Sequence, residues 1–284
     1  MAIWNLGSIN IDHFYHLPHL PGPGETLAAL GYATGLGGKG ANQSVAAARA
    51  GARVHHIGAV GARDKAVLDQ LAADGIDTTH VARVEGSTGH AIINIDPAGE
   101  NNIVIHGGAN LALDPAAVAR ALSAARAGDI LLIQNETCCQ AEAARIGRER
   151  GLRVVYSAAP FDVDAVRAVL AFIDILCVNA VEEAQLRAAL GGVSGPELVV
   201  TLGAEGAEWR GRARVPAYPV TPVDTTGAGD CFTGNMVAAL DAGLAPEAAM
   251  RRAAAAAAIQ VTRPGTADAM PTAAETDAFL QEHS

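Results

Sequence analysis

Short apolar runs alternate with segments of helical spacing through the second half of the chain. The runs typical of strands are DILLIQNE, LRVVYSAAP, DILCVNA and ELVVTLGAEG, and the helical segments between them are CQAEAARIGRERG, DVDAVRAVLAFI and VEEAQLRAALGG. Strands that are apolar throughout and separated by helices predict a parallel sheet covered on both faces. We therefore expect an α/β fold, a three-layer α/β/α sandwich around a mostly parallel central sheet.

The first third of the chain departs from this alternation. AIWNLGSIN is typical of a first strand, and GHAIINIDPAGENNIVIHGG contains two β-rich runs around the turn 97–100, which predicts a hairpin. We expect segments 12–34 and 88–106 to form a small β lid within one domain covering residues 1–284. The alternative is an antiparallel extension of the main sheet.

Polar or small residues close several of the predicted strands. In an open α/β sheet, ligands bind beyond the carboxyl ends of the strands. The sequence therefore predicts a ligand site where these ends meet. The residues at these ends are Asn10, Asp12, Glu136, Asn179 and Gly203.

Net charge, apolar runs and cysteine spacing limit what the protein is expected to bind. The net charge of −10 argues against nonspecific binding to nucleic acid, although a local site can still hold an anion. No apolar run reaches the roughly 20 residues of a membrane span, and the N-terminal residues do not resemble a signal peptide. The 4 cysteines show no paired metal or disulfide spacing. We expect a cytoplasmic protein that binds neither nucleic acid nor membrane.

The glycine-rich stretch GLGGKGANQ, residues 35–43, satisfies G-x-G-x-x-G by spacing. A dinucleotide site also needs a preceding buried strand and an acid about 20 residues later, and both signals are missing. The phosphate loop G-x-x-x-x-G-K-[ST] fails as well, because Gly40 follows Lys39. We expect a flexible, exposed turn before a helix, with Lys39 and Asn42 as donors for a polyol such as a sugar. The alternative is a glycine-rich loop with a solvated lysine.

Asp230 lies in DTTGAGDCF, directly before the helical run CFTGNMVAALDAGL. One interpretation is that Asp230 caps this helix. A second is that the small residues before it let backbone N–H groups converge on an anion, while the acid acts as a general base. That pairing suits phosphoryl transfer. A simple cap leaves the glycine pair without a purpose.

The motifs together resemble a known family. GSINIDH, GGKGANQSVAAARAGA, QNE, VNAVEE, TLGAEG, DTTGAGDCFTGNMVAAL and VTRPG occur in the order found in the ribokinase-like sugar kinases of the phosphofructokinase-B type, over residues 3–280. Within the family, the chain is most similar to the ribokinases. The resemblance implies a kinase that transfers the γ-phosphate of ATP to the primary hydroxyl of ribose, with Mg²⁺ and potassium as cofactors.

The resemblance also implies site residues. Asp230 would be the base, and Gly227, Ala228 and Gly229 would form a backbone anion hole. The sugar ligands would be Asn10, Asp12, Gly38, Lys39, Asn42 and Glu136. The nucleotide site would include Asn179, Glu182, Thr201, Gly203 and Gly206, with Glu182 holding Mg²⁺ through water. The positions matched to the monovalent cation, largely through backbone carbonyls, are Asp224, Thr226, Gln260, Arg263, Gly265 and Ala269.

Two alternative functions and the role of potassium stay open from the sequence. Another family kinase could act on a nucleoside or a hexose, since the residues before Glu136 differ from those of ribokinases. A sugar- or nucleotide-binding regulator could keep the fold without catalysis. Ala269 stands where a hydroxyl residue is common in the family, which leaves potassium activation open.

Exposed lid edges, together with the resemblance, predict a homodimer through the lid.

Overall fold

The computed structural model describes residues 1–283, which form two sheets and nine helices with three short 3₁₀ turns. The strands are β1 (Ile3–Leu6), β2 (Asn10–His16), β3 (Gly31–Gly37), β4 (Val54–Gly61), β5 (Asp77–Val84), β6 (Gly89–Ile95), β7 (Asn101–His106), β8 (Ile130–Gln134), β9 (Arg153–Ser157), β10 (Ile175–Asn179), β11 (Glu197–Thr201), β12 (Ala207–Trp209) and β13 (Ala213–Val215). The helices are α1 (Lys39–Arg49), α2 (Lys65–Ala73), α3 (Pro115–Leu122), α4 (Gln140–Glu149), α5 (Val163–Val169), α6 (Ala180–Leu190), α7 (Ala228–Asp241), α8 (Pro246–Gln260) and α9 (Ala273–Glu282).

The large sheet has nine strands in the order β13-β12-β11-β10-β9-β8-β1-β4-β5. The strands from β11 to β5 pair in parallel, and β12 and β13 add an antiparallel edge. Burial on both faces explains why the central strands are apolar throughout. The prediction of a mostly parallel central sheet is confirmed.

Helices cover both faces of this sheet. One core contains residues of α1, α2, α7 and α8, and the other contains residues of α3, α4, α5 and α6. The alanine-rich α8 packs against α7, and Ala253, Ala255 and Ala256 are fully buried there. Small side chains let the two helix backbones approach closely while favouring helix. These two cores give the three layers expected from the sequence.

The small sheet has four strands in the order β3-β2-β6-β7. β2 pairs antiparallel with β3 and parallel with β6, and β6 pairs antiparallel with β7, which confirms the hairpin around residues 97–100. Within residues 1–283, these strands pair only with one another. The alternative of an antiparallel extension of the main sheet is therefore wrong.

The two sheets join through very short connections. Only residues 7–9 separate β1 of the large sheet from β2 of the small one, and Gly38 alone separates β3 from α1. Gly38 has φ 88°, a left-handed conformation that favours glycine. A Cβ on Gly7 would lie 2.5 Å from Gly40 Cα, so the start of α1 rests directly on the backbone after β1.

The expectation of a flexible, exposed turn at residues 35–38 is wrong. Leu36, Gly37 and Gly38 are buried, and α1 begins one residue later, at Lys39. The segment is a strand end packed against a helix start, because its glycines allow backbone to meet backbone.

None of the helices within residues 1–283 combines the length and the apolar character needed to cross a bilayer.

Candidate active site

Asp230 lies in the first turn of α7 and is buried, with 8% of its surface exposed. Gly227 is the N-cap residue, with φ 79°, and no side chain caps the helix. The interpretation of Asp230 as a simple cap is therefore wrong. Its carboxylate instead accepts hydrogen bonds from two amides of α1: Asn42 Nδ2 donates to Oδ2 at 3.1 Å and Gln43 Nε2 donates to Oδ1 at 2.8 Å.

Close packing of α7 against α1 brings these groups together. A Cβ on Gly234, one turn after Asp230, would lie 2.6 Å from the main-chain oxygen of Gln43. Burial raises the pKa of Asp230 above its usual range, with Glu136 adding to it, although nearby Lys39 and the donors Gln43 and Asn42 lower it. The result is a buried carboxyl whose charged form is held by specific donors, as a general base requires.

Lys39 lies among three carboxylates. Its Nζ is 3.7 Å from Glu136 Oε1, and its backbone N–H donates to Glu136 Oε2 at 3.0 Å. Asp230 makes the largest contribution to raising the pKa of Lys39, and Glu136 and Glu182 add to it against the effect of burial. The ammonium therefore stays charged and links the predicted base to the predicted sugar ligand Glu136.

Ser8 fixes the orientation of Glu136. Ser8 Oγ donates to Glu136 Oε2 at 2.7 Å and accepts from the Gly40 N–H at 3.2 Å. Ser8 was not among the site residues predicted from the sequence. The only sequence signal was its position between the small and polar residues that close the first strand.

Asp12 and Asn10 point from the small sheet toward the same region. Asp12 is 7% exposed, its Oδ1 has no hydrogen-bond partner within residues 1–283, and a Cβ on Gly37 would overlap its carboxyl. Burial, and then Glu136, raise the pKa of Asp12 to about 7, while Lys39 lowers it. Asn10 Oδ1 accepts from Asn110 Nδ2 at 2.8 Å. An unpartnered buried carboxyl oxygen is available to accept from a ligand hydroxyl.

The first turn of α7 offers backbone donors. The Ala228 N–H already donates to the Thr225 carbonyl at 3.2 Å. Gly229 is exposed, and a Cβ built on it would have no neighbour within 4 Å. The first N–H groups of a helix have no carbonyl partner within it. The N–H groups of Gly229 and Asp230 therefore suit the anion-binding role better than that of Ala228.

A buried chain of polar side chains extends from Asp230 into the large sheet. Gln134 Nε2 donates to Gln43 Oε1 at 2.7 Å and to Asn5 Oδ1 at 2.8 Å. Because the oxygen of Gln43 accepts from Gln134, its NH₂ group must face Asp230. Asn5 Nδ2 donates to Ser44 Oγ at 2.8 Å, which extends the chain.

The chain ends at His56, which is fully buried. His56 Nδ1 lies 2.8 Å from Ser44 Oγ, and its Nε2 lies 3.1 Å from the Gly7 carbonyl. Burial lowers the pKa of His56 to about 4, so the ring is neutral. With its hydrogen on Nε2, the neutral ring accepts from the Ser44 hydroxyl at Nδ1. Donation therefore starts at the Gln134 amide and runs two ways, through Gln43 to Asp230 and through Asn5 and Ser44 to His56. Gln43, Gln134 and Asn5 were not predicted as site residues; the one sequence signal was the polar Asn5 inside an apolar strand.

The residues predicted for the nucleotide lie at the ends of β10 and β11. Asn179 and Thr201 are paired in register there, and Glu182 and Asn179 form a reciprocal capping box at the start of α6. Gly203 and Gly206 bound the short turn that follows β11. Burial raises the pKa of Glu182, with Lys39 lowering and Asp230 raising it, which places its carboxyl near the predicted base.

Magnesium fits this donor set. Mg²⁺ keeps several waters and is held by one or two carboxylates together with substrate phosphates. Glu182 supplies one carboxyl, and within residues 1–283 no cluster of three or more His, Cys, Asp or Glu side chains could hold a metal by itself. Glu182 would therefore supply one carboxyl to an ion held mainly by substrate phosphates and water.

The residues matched to a monovalent cation lie in the loop before α7, at the last residue of α8 and in the segment after α8, but they do not fit potassium. These residues are Asp224, Thr226, Gln260, Arg263, Gly265 and Ala269. The Gln260 amide donates to the carbonyls of Thr226 at 2.8 Å and Gly265 at 3.2 Å, so it takes the place between them. Ala269 has no side-chain oxygen, so only its main-chain carbonyl remains as a ligand there.

The chain is similar to known carbohydrate kinases along nearly its whole length. The sequence model of the pfkB family of carbohydrate kinases matches residues 3–273. The chain is 39% identical to ribokinase of Haemophilus influenzae over 97% of each protein, and 32% identical to deoxyribokinase of Salmonella typhi over 99% of each. The structure of Arabidopsis thaliana ribokinase complexed with ribose and ATP superposes with a TM-score of 0.86 at 29% identity, covering 99% of both chains.

Proposed function

The chain belongs to the pfkB family of carbohydrate kinases, and from that premise we propose that it transfers the γ-phosphoryl group of ATP to the primary hydroxyl of ribose. The observation that carries the proposal is the buried carboxyl of Asp230, held by two amide donors beside the first turn of α7. A carboxyl in this position can take a proton while the neighbouring N–H groups stabilise an anion.

The proposed reaction runs in one step with balanced protons. Asp230 accepts the proton of the primary hydroxyl, the hydroxyl oxygen bonds to the γ-phosphorus, and the bond from that phosphorus to the β-phosphate oxygen of ATP breaks. Lys39 stays charged and offsets the negative groups around it. The N–H groups of Gly229 and Asp230 stabilise the transferred phosphoryl group. Asp230 then releases its proton to solvent.

The sugar ligands come from both sheets. We assign the sugar hydroxyls to Asn10 and Asp12 of the small sheet and to Lys39, Asn42 and Glu136 of the large body, with Gly38 allowing close approach. The nucleotide would lie beside Asn179, Thr201, Gly203 and Gly206. Mg²⁺, held through water by Glu182, would neutralise phosphate charge. We assign no step to potassium, because the Gln260 amide occupies the place between the carbonyls.

We further propose that the small sheet is a lid. It carries Asn10 and Asp12 on one face, so its position decides whether the sugar site is enclosed. Closure would exclude water and limit ATP hydrolysis. The ratio of ATP hydrolysis to sugar phosphorylation should rise when Asp12 is replaced by Ala.

Two lids would pair in a homodimer. The face opposite Asp12 exposes Tyr32, Ile92 and Val104, at 56%, 38% and 63%, and edge strand β7 is exposed throughout. Apolar exposure on a sheet edge favours pairing with a second copy. Light scattering after gel filtration should give twice the chain mass for the wild type and one chain mass for Val104→Glu. A monomeric wild type would contradict the proposal.

The Asp230→Asn variant tests the proposed base. It keeps the size of the side chain and should bind sugar and ATP by calorimetry, yet lose about 10²–10⁴-fold in kcat. Asp241→Asn, at the far end of the same helix, is the matched control and should keep wild-type kcat. Near-normal turnover of Asp230→Asn would rule out the proposed base.

A substrate panel tests the sugar. We expect ribose to give the highest kcat/KM among ribose, 2-deoxyribose, hexoses and nucleosides. The relative named deoxyribokinase makes 2-deoxyribose the main competitor. ADP formation that requires both sugar and Mg²⁺ would exclude a non-catalytic regulator.

A further inference from the structure

Gln260, the last residue of α8, joins two loops beside the proposed anion site. Its side chain is fully buried, and Nε2 donates to the Thr226 carbonyl at 2.8 Å and to the Gly265 carbonyl at 3.2 Å. Thr226 directly precedes the N-cap of α7, and Gly265 lies in the loop after α8. One amide group therefore holds together the two loops that frame the start of α7.

The Asp224 carboxylate holds the same two residues through their N–H groups. Its Oδ1 accepts from the Thr226 N–H at 2.9 Å, and its Oδ2 accepts from the Gly265 N–H at 3.1 Å. Thr226 and Gly265 are thus each held at two main-chain groups, the carbonyl by the Gln260 amide and the N–H by the Asp224 carboxylate. We call the pair Gln260 and Asp224 the loop clamp.

The amide supplies a positive group where two negative oxygens converge. Carbonyl oxygens that face one point repel each other unless hydrogen atoms or a cation lie between them. The NH₂ group of Gln260 is that positive group. Its orientation is fixed, because turning the amide over would place Oε1 against both carbonyls.

The fixed orientation of the amide leaves its oxygen without a hydrogen bond from the described residues, which costs free energy. Gln260 Oε1 is buried and has no hydrogen-bond partner within residues 1–283. A buried acceptor without a partner is unfavourable, so the two N–H bonds must outweigh it. The side-chain amide is therefore held only through its NH₂ group, by the carbonyls of the two loops, because Oε1 accepts no hydrogen bond from the part of the chain that the structure describes.

We propose that the loop clamp takes the place of an activating monovalent cation in this chain. Gln260 holds the Thr226 and Gly265 carbonyls without an ion, and turnover does not depend on potassium. Only the activity measurement rests on the proposed kinase function; the stability measurement needs no substrate.

The test compares the wild type with Gln260→Ala in potassium chloride and in tetramethylammonium chloride at equal ionic strength. For the wild type, we expect the same Tm and a kcat/KM within about twofold in both salts. The variant should lose at least about tenfold of kcat/KM in tetramethylammonium and should regain activity and several degrees of Tm in potassium, because the freed carbonyls can then bind the ion.

The matched control is Gln140→Ala. The Gln140 amide also donates to two main-chain carbonyls, those of Gln134 and Thr137, but outside the loop clamp. Its Tm should not respond to potassium. If Gln260→Ala does not fold, Gln260→Glu replaces the NH₂ group with oxygen at the same size, and its Tm should rise with potassium.

Three results would overturn the proposal. One is a wild-type kcat/KM that falls tenfold without potassium, another is a wild-type Tm that rises with potassium, and the third is a Gln260 variant with no potassium response. A wild type that phosphorylates no sugar but keeps the expected Tm pattern would contradict the proposed function and leave the loop clamp standing.

Discussion

Replacing Gln43 with Met should shift the pH at which the enzyme loses activity in acid. Gln43 Nε2 donates to Asp230 Oδ1 at 2.8 Å, in a site from which burial removes most water. Met has a similar length and volume but no N–H group, so the variant removes the donor and leaves the packing largely intact.

The expected size follows from the strength of that bond. A hydrogen bond to a charged group contributes about 1.5–3 kcal/mol, and one pKa unit corresponds to about 1.4 kcal/mol. Loss of the donor destabilises the charged form of Asp230 and so raises its pKa by about 1–2 units. A general base must be ionised, so activity disappears as pH falls through this pKa. The acid limb of kcat/KM should therefore move to higher pH by the same 1–2 units.

The assay is the pH profile of kcat/KM for Gln43→Met beside the wild type, with circular dichroism at each pH to verify the fold. Gln281→Met, an exposed position on α9, makes the same chemical change away from the site and should keep the wild-type profile. A uniform loss of activity with an unshifted acid limb would refute the assignment of Asp230 as the titrating base held by Gln43.

Three further changes probe other parts of the site. Because the pKa of Asp12 is about 7 and an ionised carboxylate accepts more strongly, KM for ribose should fall as pH rises through neutrality; Asp12→Asn should flatten this dependence in initial-rate measurements. Gly229→Ala should keep or raise Tm, since alanine favours helix by about 0.5–1 kcal/mol, yet lower kcat at least tenfold; unchanged kcat would contradict an anion site there. The pKa of His56 is about 4 in the folded protein, so the unfolded chain gains a proton first as pH falls below about 6.5. Stability should drop by up to about 3 kcal/mol toward pH 4, and less steeply in His56→Gln, when followed by urea unfolding.

Local patterns predicted most of the large sheet because each signal lies within a few residues. The apolar run DILLIQNE became β8 and VEEAQLRAALGG became α6, since strand and helix periods differ along the chain itself. The order of the small sheet had no such signal. β2 pairs in parallel with β6, about 80 residues away, and β3 forms in a glycine-containing segment that lacks the apolar pattern of a strand. Tertiary pairing decided both.

The site residues also fall into those with a local sequence signal and those without one. Asp230 and Lys39 stood out because glycines surround them in the sequence, and small residues near a charge signal close approach. Gln43 and Gln134 gave no comparable signal, because their partners are 187 and 91 residues away. From the sequence, Gln260 and Asp224 were only positions matched to the cation site of related proteins. The direction of the Gln260 amide, on which the loop clamp depends, follows from its hydrogen-bond partners in the structure.

The three-residue step from β1 to β2 limits how far the small sheet can travel. Residues 7–9 and the single residue Gly38 tie it to the large body at points side by side, and Gly7 is already pressed against Gly40. A tether this short permits rotation but little translation. Residues 85–88 and Gly107 tie β6 and β7 to the large body at the same end of the small sheet. As the proposed lid, the small sheet would rotate about that end, so Asp12 near the pivot would travel least and the far strand ends at residues 16, 31, 95 and 101 would travel most.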